Sequence, residues 1–202
     1  MEHEVTGLAA AETIPARCDK VALGIGREQL DLFFPLLQRG VAVQAELGCP
    51  LRELLCGQFG IPGDYVEGRI TTIFLDNHPV DDLDRSLIRE GSRVTLSAAM
   101  PGLVGATMRR SGFYAALRQG ISHAETAGDI GAGQGTVRLK LFNLLLPELG
   151  PLILARGILL QRDEMDRLLG DLGLGSRDCD TASESCGGGA GGGILLRVTV
   201  GN

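Results

Sequence analysis

The sequence lacks tryptophan, and aromatic residues make up only 4% of it. Without large rings, the core has to be built from leucine, valine and isoleucine. A basic excess is also missing: 19 lysines and arginines stand against 25 aspartates and glutamates, which gives a formal net charge of -6. Scattered cations displace few counterions from a phosphate backbone, so we expect neither a nucleic acid nor an anionic membrane as partner.

A secretory signal and an uninterrupted membrane span are missing too. The start of the chain, MEHEVTGLAAAETIPARC, has acids where a signal peptide has basic residues. Segment 141–160, LFNLLLPELGPLILARGILL, is long enough to span a bilayer. It contains Glu148, Arg156 and a central proline–glycine cluster, which predicts a hairpin turn instead of a helix. We therefore expect a cytoplasmic protein with a mobile segment at residues 1–18.

The five cysteines are an odd number, which favours reduced thiols over a disulfide framework. Cys49 and Cys56 lie on one face of a predicted helix but about 10 Å apart along it, so we expect them to pack as small hydrophobic residues. Cys179 and Cys186 lie in the sequence CDTASESC. A redox pair or half of a metal site is one interpretation of them, and a pair of surface thiols is the other.

Motifs for catalysis and for cofactors are absent. The glycine runs GAGQGTVRLKL and GGGAGGGILL lead into predicted strands, and no Gly-Lys-Ser/Thr follows either of them. The plant-type cysteine spacing of an iron–sulfur cluster is missing as well. Asp81, Asp82 and Asp84 are explained as acids at a helix start. The sequence therefore favours a non-enzymatic protein without a cofactor, with an enzyme or small-ligand binder in a cleft between two units as the open alternative.

Apolar periodicity indicates an α+β fold. Residues 41–47 alternate as a strand with one wet face, and residues 30–37 are predicted to pair with them as a hairpin through the turn QRG. An amphipathic helix follows at residues 50–60. The runs RITTIFLDNHPV and SRVTLSA predict two more strands, with a short helical or looped crossing between them. A sheet packed on one helix covers all these apolar faces.

This order of elements resembles the ubiquitin-like β-grasp superfamily, especially the small sulfur carriers of thiamin and molybdopterin synthesis. The likeness rests on the hairpin, on PLRELL at the helix start, and on IFLDNHPVDD in the place of a strand and its turn. It also rests on IREGSRVTLSAAMPG, which stands in the place of the last strand and the glycine tail. The resemblance implies a β-grasp domain at residues 19–105.

A sulfur carrier works through a free, extended Gly-Gly tail that an activating enzyme adenylates. The matching stretch here, MPGLVG, has Pro101, Gly102 and Gly105 but no Gly-Gly, and the chain continues beyond it. Two interpretations follow. Either processing exposes a carboxylate at Gly102 or Gly105 and the protein is a carrier, or the stretch is a bend that leaves a strand and the activity does not transfer.

Beyond this point we predict a short helix and a Gly/Ala-rich linker at residues 106–136. A second α+β unit is predicted at residues 137–202, with a flexible glycine-rich loop at 175–193. Its leucines align with those of the first unit when Leu139 is set on Leu30. The second unit is either a degenerate repeat of the first or a chance match between two leucine-rich series.

Our leading hypothesis is a cytoplasmic β-grasp protein that binds another protein, such as an activating enzyme or a larger enzyme complex. The segment AAMPGLVGATMRRSGFY is apolar enough to dock, and its two arginines suit an acidic partner. A homodimer over an uncovered sheet edge is a further expectation. The predicted binding residues are Pro101, Gly102, Leu103, Gly105, Arg109 and Arg110.

Overall fold

The structure, a computed structural model, describes residues 19–110, 112–113, 133–174, 180–182 and 193–201. The chain contains both helices and strands, and most of the described strand pairs are antiparallel, which confirms the predicted α+β class. The predicted mobile head, most of the predicted linker and most of the glycine-rich loop lie outside the described residues.

Among the described residues, the first half of the chain contributes five strands: β1 (Asp19–Ile25), β2 (Val41–Leu47), β3 (Thr72–Leu75), β4 (His78–Pro79) and β5 (Arg93–Ser97). Its helices are a 3₁₀ helix (Arg27–Phe33), α1 (Phe34–Arg39), a π-helix (Glu53–Gln58), α2 (Gly63–Gly68) and α3 (Gly102–Met108). The second half contains β6 (Gly133–Phe142), α4 (Leu145–Arg156), β7 (Ile158–Leu160), α5 (Arg162–Leu172), β8 (Asp180–Ala182) and β9 (Ile194–Val200).

The described strands form one sheet in the order β4-β3-β5-β6-β2-β7-β9-β1-β8. Two neighbouring pairs are parallel, β5 with β6 and β1 with β9, and the remaining pairs are antiparallel. Each parallel pair joins the first strand of one half to the last strand of the other. Strands from both predicted units are therefore interleaved in a single sheet.

One face of this sheet, which we call the first face, carries the core. Alternate residues of the central strands point to it, as Val137, Leu139 and Leu141 of β6 do, and each is at most 1% exposed. Apart from α3, the described helices add their buried apolar side chains to this same cluster. The opposite face, which we call the second face, carries the other residues of each strand.

The hairpin predicted from residues 30–37 and β2 is wrong, because residues 27–39 form the 3₁₀ helix and α1. Leu30, Phe33 and Leu37 are buried at the spacing of a helical face. A short leucine-rich run fits a buried strand and a buried helix equally well, and only packing distinguishes the two. The predicted helix at residues 50–60 is confirmed, although part of it is widened into the π-helix.

The second predicted hairpin is also wrong, since α4 occupies the segment where the turn was expected. Pro147 lies in the first turn of α4, where its backbone nitrogen has no intrahelical partner to lose. Pro151 lies inside the helix and removes one hydrogen bond, but the buried face around it includes Leu149 and Ile153. The alignment of Leu30 with Leu139 pairs a helical residue with a strand residue, so it does not match equivalent elements.

Two glycines end α1 and α4 with nearly the same backbone conformation. Gly40 has φ 111° and ψ 129°, and Gly157 has φ 116° and ψ 137°. Each follows an arginine and precedes a strand, in QRGVAV and ARGILL. A Cβ atom at Gly40 would lie 3.2 Å from the Arg138 side chain, and one at Gly157 would lie 3.2 Å from the Arg197 side chain. Both positions therefore require glycine for its positive φ and for the close approach of an arginine stem.

We expect that neither half folds alone, because β6 lies between β5 and β2, and β9 lies beside β1. Fragments 1–113 and 114–202 should each lack a cooperative thermal transition in circular dichroism. Mixed in equal amounts, they should regain the helical signal and a single transition, since each supplies the strands that the other lacks. A cooperative transition in either isolated fragment would show that the halves are independent domains.

Thr72 of β3 gives a second test, of the packing where β3 pairs with β5. Its side chain is fully buried, and its hydroxyl has no hydrogen-bond partner among the described residues. Thr72→Val removes that desolvated hydroxyl at nearly constant shape and should raise the free energy of unfolding in urea by about 1 kcal/mol. The matched control is Thr71→Val, which loses the 2.7 Å hydrogen bond from the Thr71 hydroxyl to the Ala98 carbonyl oxygen. This change should lower the free energy of unfolding. Equal effects of the two changes would contradict this assignment.

Candidate docking segment after the fifth strand

The predicted binding segment begins where the chain leaves β5. Pro101 has extended φ and ψ of -74° and 158° and precedes the first residue of α3. Gly102 follows with φ 77°, a conformation that glycine adopts at little cost. The two residues form a bend, and α3 continues to Met108.

One side of α3 is fixed against the chain that precedes it. Gly105 is buried, and a Cβ atom there would overlap the carbonyl oxygen of Met100. The backbone N–H of Arg109 donates to the Gly105 carbonyl oxygen at 3.1 Å and closes the last turn. Residues 102–108 are therefore a helix and not an extended tail.

The other side of α3 presents apolar side chains to solvent. Leu103 is 72% exposed and Val104 is 63% exposed. Leu144, which is 55% exposed, follows Asn143 at the end of β6, and the Asn143 amide donates to the carbonyl oxygen of Ala99. The ends of β5 and β6 therefore lie together. We call Leu103, Val104 and Leu144 the α3 patch.

Phe113 extends the apolar character of this segment, because it is 93% exposed five residues after α3 ends. Arg109, predicted to face a partner, is also exposed at the end of the helix. The sequence analysis included Leu103 but missed Val104 and Leu144. Leu144 belongs to the run NLLLPEL, where no local signal distinguishes it from its two buried neighbours, Leu145 and Leu146.

Arg110 does not point toward a partner, contrary to the prediction. Its side chain is only 7% exposed and donates to the Val66 carbonyl oxygen at 2.8 Å, and it lies 3.3 Å from the Glu67 carboxylate. Its backbone N–H donates to the Thr71 carbonyl oxygen at 2.8 Å. Burial lowers the pKa of Arg110, and the nearby Glu67 carboxylate opposes that shift. Glu67, the acid that pairs with Arg110, therefore belongs to the same chain.

Glu67 extends this contact into a network. Arg52 donates to Glu67 at 2.8 Å and to Asp84 at 2.7 Å, so that one guanidinium joins the start of the π-helix region to two other segments. The hydrogen bond from Arg52 is the main cause that lowers the pKa of Glu67. Arg110 thus fixes the chain that follows α3, whereas Leu103 and Val104 of α3 are exposed to solvent.

A second polar cluster joins α2 to α4. The Arg69 guanidinium holds the Glu148 carboxylate with two nitrogens, Nε at 2.9 Å from Oε2 and a terminal nitrogen on Oε1. The Tyr65 hydroxyl donates to the same carboxylate. These bonds lower the pKa of Glu148 to about 2, while burial and the carboxylate raise the pKa of Tyr65 to about 12. The polar groups of the three side chains are hydrogen-bonded to one another. The cluster is therefore explained as a link between the two helices.

Glu148→Gln should destabilise the protein in a pH-dependent way. The pKa of Glu148 is lower in the folded protein than in the unfolded one. Its contribution to the free energy of unfolding is therefore complete above about pH 4.3 and is lost as pH falls toward 2. Because the groups are partly exposed, the loss at neutral pH should be about 1 kcal/mol or less. Urea unfolding across this range should show the two proteins converging at low pH, and a constant difference would contradict the assignment.

The two cysteines in the described part of the chain show no feature of a reactive site. Cys49 and Cys56 are both free and pack against the core, which confirms their predicted role as small hydrophobic residues. Desolvation by burial is the main cause that raises the pKa of each thiol, so both remain protonated and unreactive near neutral pH. Cys179 and Cys186 lie outside the described residues. Among the residues that are described, no group of three or more metal-ligating side chains occurs.

The acids of the predicted crossing are explained without catalysis. The Asp82 carboxylate accepts the backbone N–H of Asp84 at 3.0 Å and of Arg85 at 3.1 Å, which caps a turn. Asp84 pairs with Arg52. The crossing is looped and not helical.

No family model matches the chain, and no curated protein or solved structure is significantly similar to it. Within the described residues, none of the helices combines the length and the hydropathy needed to cross a membrane. The case for a function therefore rests on the geometry of the chain itself.

Proposed function

We propose that the chain is a non-enzymatic, cytoplasmic protein that binds a protein partner through the α3 patch. The observation that carries this proposal is the exposure of Leu103 and Val104 on a helix that is anchored on its opposite side. A flexible loop pays an ordering cost when it binds, whereas an anchored helix has already lost most of that freedom. An apolar group held in this way is a typical anchor for a partner.

Burial of the α3 patch can supply part of the free energy of specific binding. Complete burial of one leucine or valine side chain contributes about 1.5–3 kcal/mol. Three such side chains give the apolar centre of a small interface, and Arg109 at the end of α3 adds a charge at its rim. A partner with an apolar groove fits this surface.

We further propose that the first half derives from the β-grasp superfamily. In that family the first and last strands are parallel neighbours, and the helix follows the second strand. Here β5 ends the first half and has a parallel neighbour, but that neighbour is β6 of the second half. The order β2-β6-β5-β3-β4, with the π-helix after β2, fits a β-grasp sheet whose first strand is exchanged for β6.

The same reasoning favours binding over sulfur transfer. Gly102 and Gly105 match the glycines of a carrier tail in sequence, but here they lie in α3, and Gly105 packs on Met100. A tail that enters a narrow activating site has to be extended, so α3 would have to unwind and expose Met100. The anchored helix suits a docking surface better.

The double substitution Leu103→Ser/Val104→Ser tests the proposal. Both side chains are exposed, so the free energy of unfolding should change by about 0.5 kcal/mol or less. A partner that co-purifies from the native cells should lose at least tenfold in affinity, because two apolar anchors are removed.

Leu32→Ser is the matched control. Leu32 is 42% exposed in the 3₁₀ helix, away from α3 in the chain, and its replacement should leave the partner bound. The proposal fails if the double variant retains the partner, or if Leu32→Ser releases it to the same extent.

A further inference from the structure

The second face of the sheet carries a row of residues whose register is fixed from strand to strand. Arg93 of β5 is opposite Arg138 of β6, and Arg138 is opposite Ala42 of β2. The row continues through Leu159, Leu195 and Lys20 in β7, β9 and β1. The row ends at Ala182 in β8. Cations therefore lie near both ends of the row, and small or aliphatic residues lie between them.

Two further cations belong to the same face. Lys140 lies two residues after Arg138 in β6, and Arg197 lies two residues after Leu195 in β9, and a step of two keeps the face. Arg93, Lys20 and Arg197 are exposed, and Arg138 and Lys140 are partly exposed. With strands about 4.8 Å apart, Arg138 and Lys20 are separated by about 19 Å across four strand steps.

The charge of this face is opposite to that of the chain. Five cations point from the described strands β1, β2, β5, β6, β7 and β9 to the second face, and Glu46 is the acid among the side chains of those strands on that face. In the neighbouring strand β8, the register places Asp180 opposite Ala22, which is opposite Arg197, so this acid has a position on the same face. The whole chain has a net charge of -6. Acids are concentrated elsewhere, as in α5, whose sequence RDEMDRLLGDL contains four of them.

The described helices other than α3 do not pack their apolar sides on this face, although Thr72 and Ser97, where β3 pairs with β5, are buried. The 3₁₀ helix, the π-helix, α1, α2, α4 and α5 all bury their apolar side chains in the core on the first face. In the centre of the second face, Ala42 and Leu159 remain partly exposed, and Leu195 is 7% exposed but lies outside the core cluster.

The pattern of an apolar centre between two cationic rims identifies the chemistry of an occupant. We propose that the second face docks an acidic protein segment with an apolar stripe, such as an amphipathic helix with carboxylates on its flanks. Charges of the partner would meet Arg93 and Lys140 on one side and Lys20 and Arg197 on the other. A nucleic acid fits less well, because the residues between the rims offer no ring for base stacking.

This face is separate from the α3 patch, and its test is independent of the proposed function. The probe is a fluorescent synthetic peptide of leucine and glutamate with helical amphipathic spacing, titrated into the full chain at low ionic strength. Parallel titrations use the same peptide with lysine in place of glutamate, and an oligothymidylate. The acidic peptide should bind, and added salt should weaken it.

Two double variants each remove one rim: Arg93→Ser/Lys140→Ser and Lys20→Ser/Arg197→Ser. Each should weaken the binding of the acidic peptide by about tenfold, because two contacts between cations and carboxylates are lost. The matched control is Arg85→Ser/Arg167→Ser, which removes the same charge from side chains that are 87% and 74% exposed in a loop and in α5. It should change the affinity less than twofold.

Several results would overturn the inference: no binding of the acidic peptide, tighter binding of the oligothymidylate or of the lysine peptide, or an equal loss in the control variant. Leu103→Ser/Val104→Ser should leave the peptide affinity unchanged. A failure of the cationic face would therefore leave the α3 patch untouched, and a failure of the α3 patch would leave the cationic face untouched.

Discussion

The structure depends on the insertion of β6 between β5 and β2. This strand forms a register of seven residue pairs with β2 and of five with β5, and it brings three fully buried aliphatic side chains to the core. Its alternation is strict, so a slip of one residue would move Val137, Leu139 and Leu141 to the second face. The pairing of the two halves is therefore fixed by the hydrophobic pattern of one strand.

The candidate docking segment follows from this insertion. Because β5 and β6 are parallel, they end at the same edge of the sheet, and the chain segments that leave them meet there. Asn143 adopts φ 57°, a left-handed conformation that asparagine tolerates, and its side chain bonds to the Ser97 hydroxyl at 3.1 Å as well as to Ala99. Leu144 follows this turn and is 55% exposed. Chain segments more than forty residues apart in sequence are thus joined at one edge of the sheet.

Much of the secondary structure could be predicted from local patterns. The alternation in β2, the apolar stripe of the π-helix region and the aliphatic run of β9 all have the expected type. The two hairpins were wrong because residues 30–37 and 145–156 are so rich in leucine that a strand and a helix use the same residues.

The order of the strands could not be predicted from local patterns. β6 pairs with β5, which lies about forty residues before it, and with β2, which lies about ninety residues before it. The direction of Arg110 depends on the same non-local packing. In the sequence it is one of two adjacent arginines, and only the position of α2 makes one of them internal and leaves the other exposed.

The packing of helices on one face explains why the second face differs from the first. A sheet that buries one face under helices needs apolar residues on alternate positions only, and the remaining positions are free to carry charge. Here those positions hold Arg138 and Arg197, and the stems of both cross a glycine that ends the neighbouring helix. At Gly40 and Gly157 any side chain would displace these stems, so the two helix ends leave room for the cations of the second face. The glycines that end α1 and α4 thus also shape the charged surface.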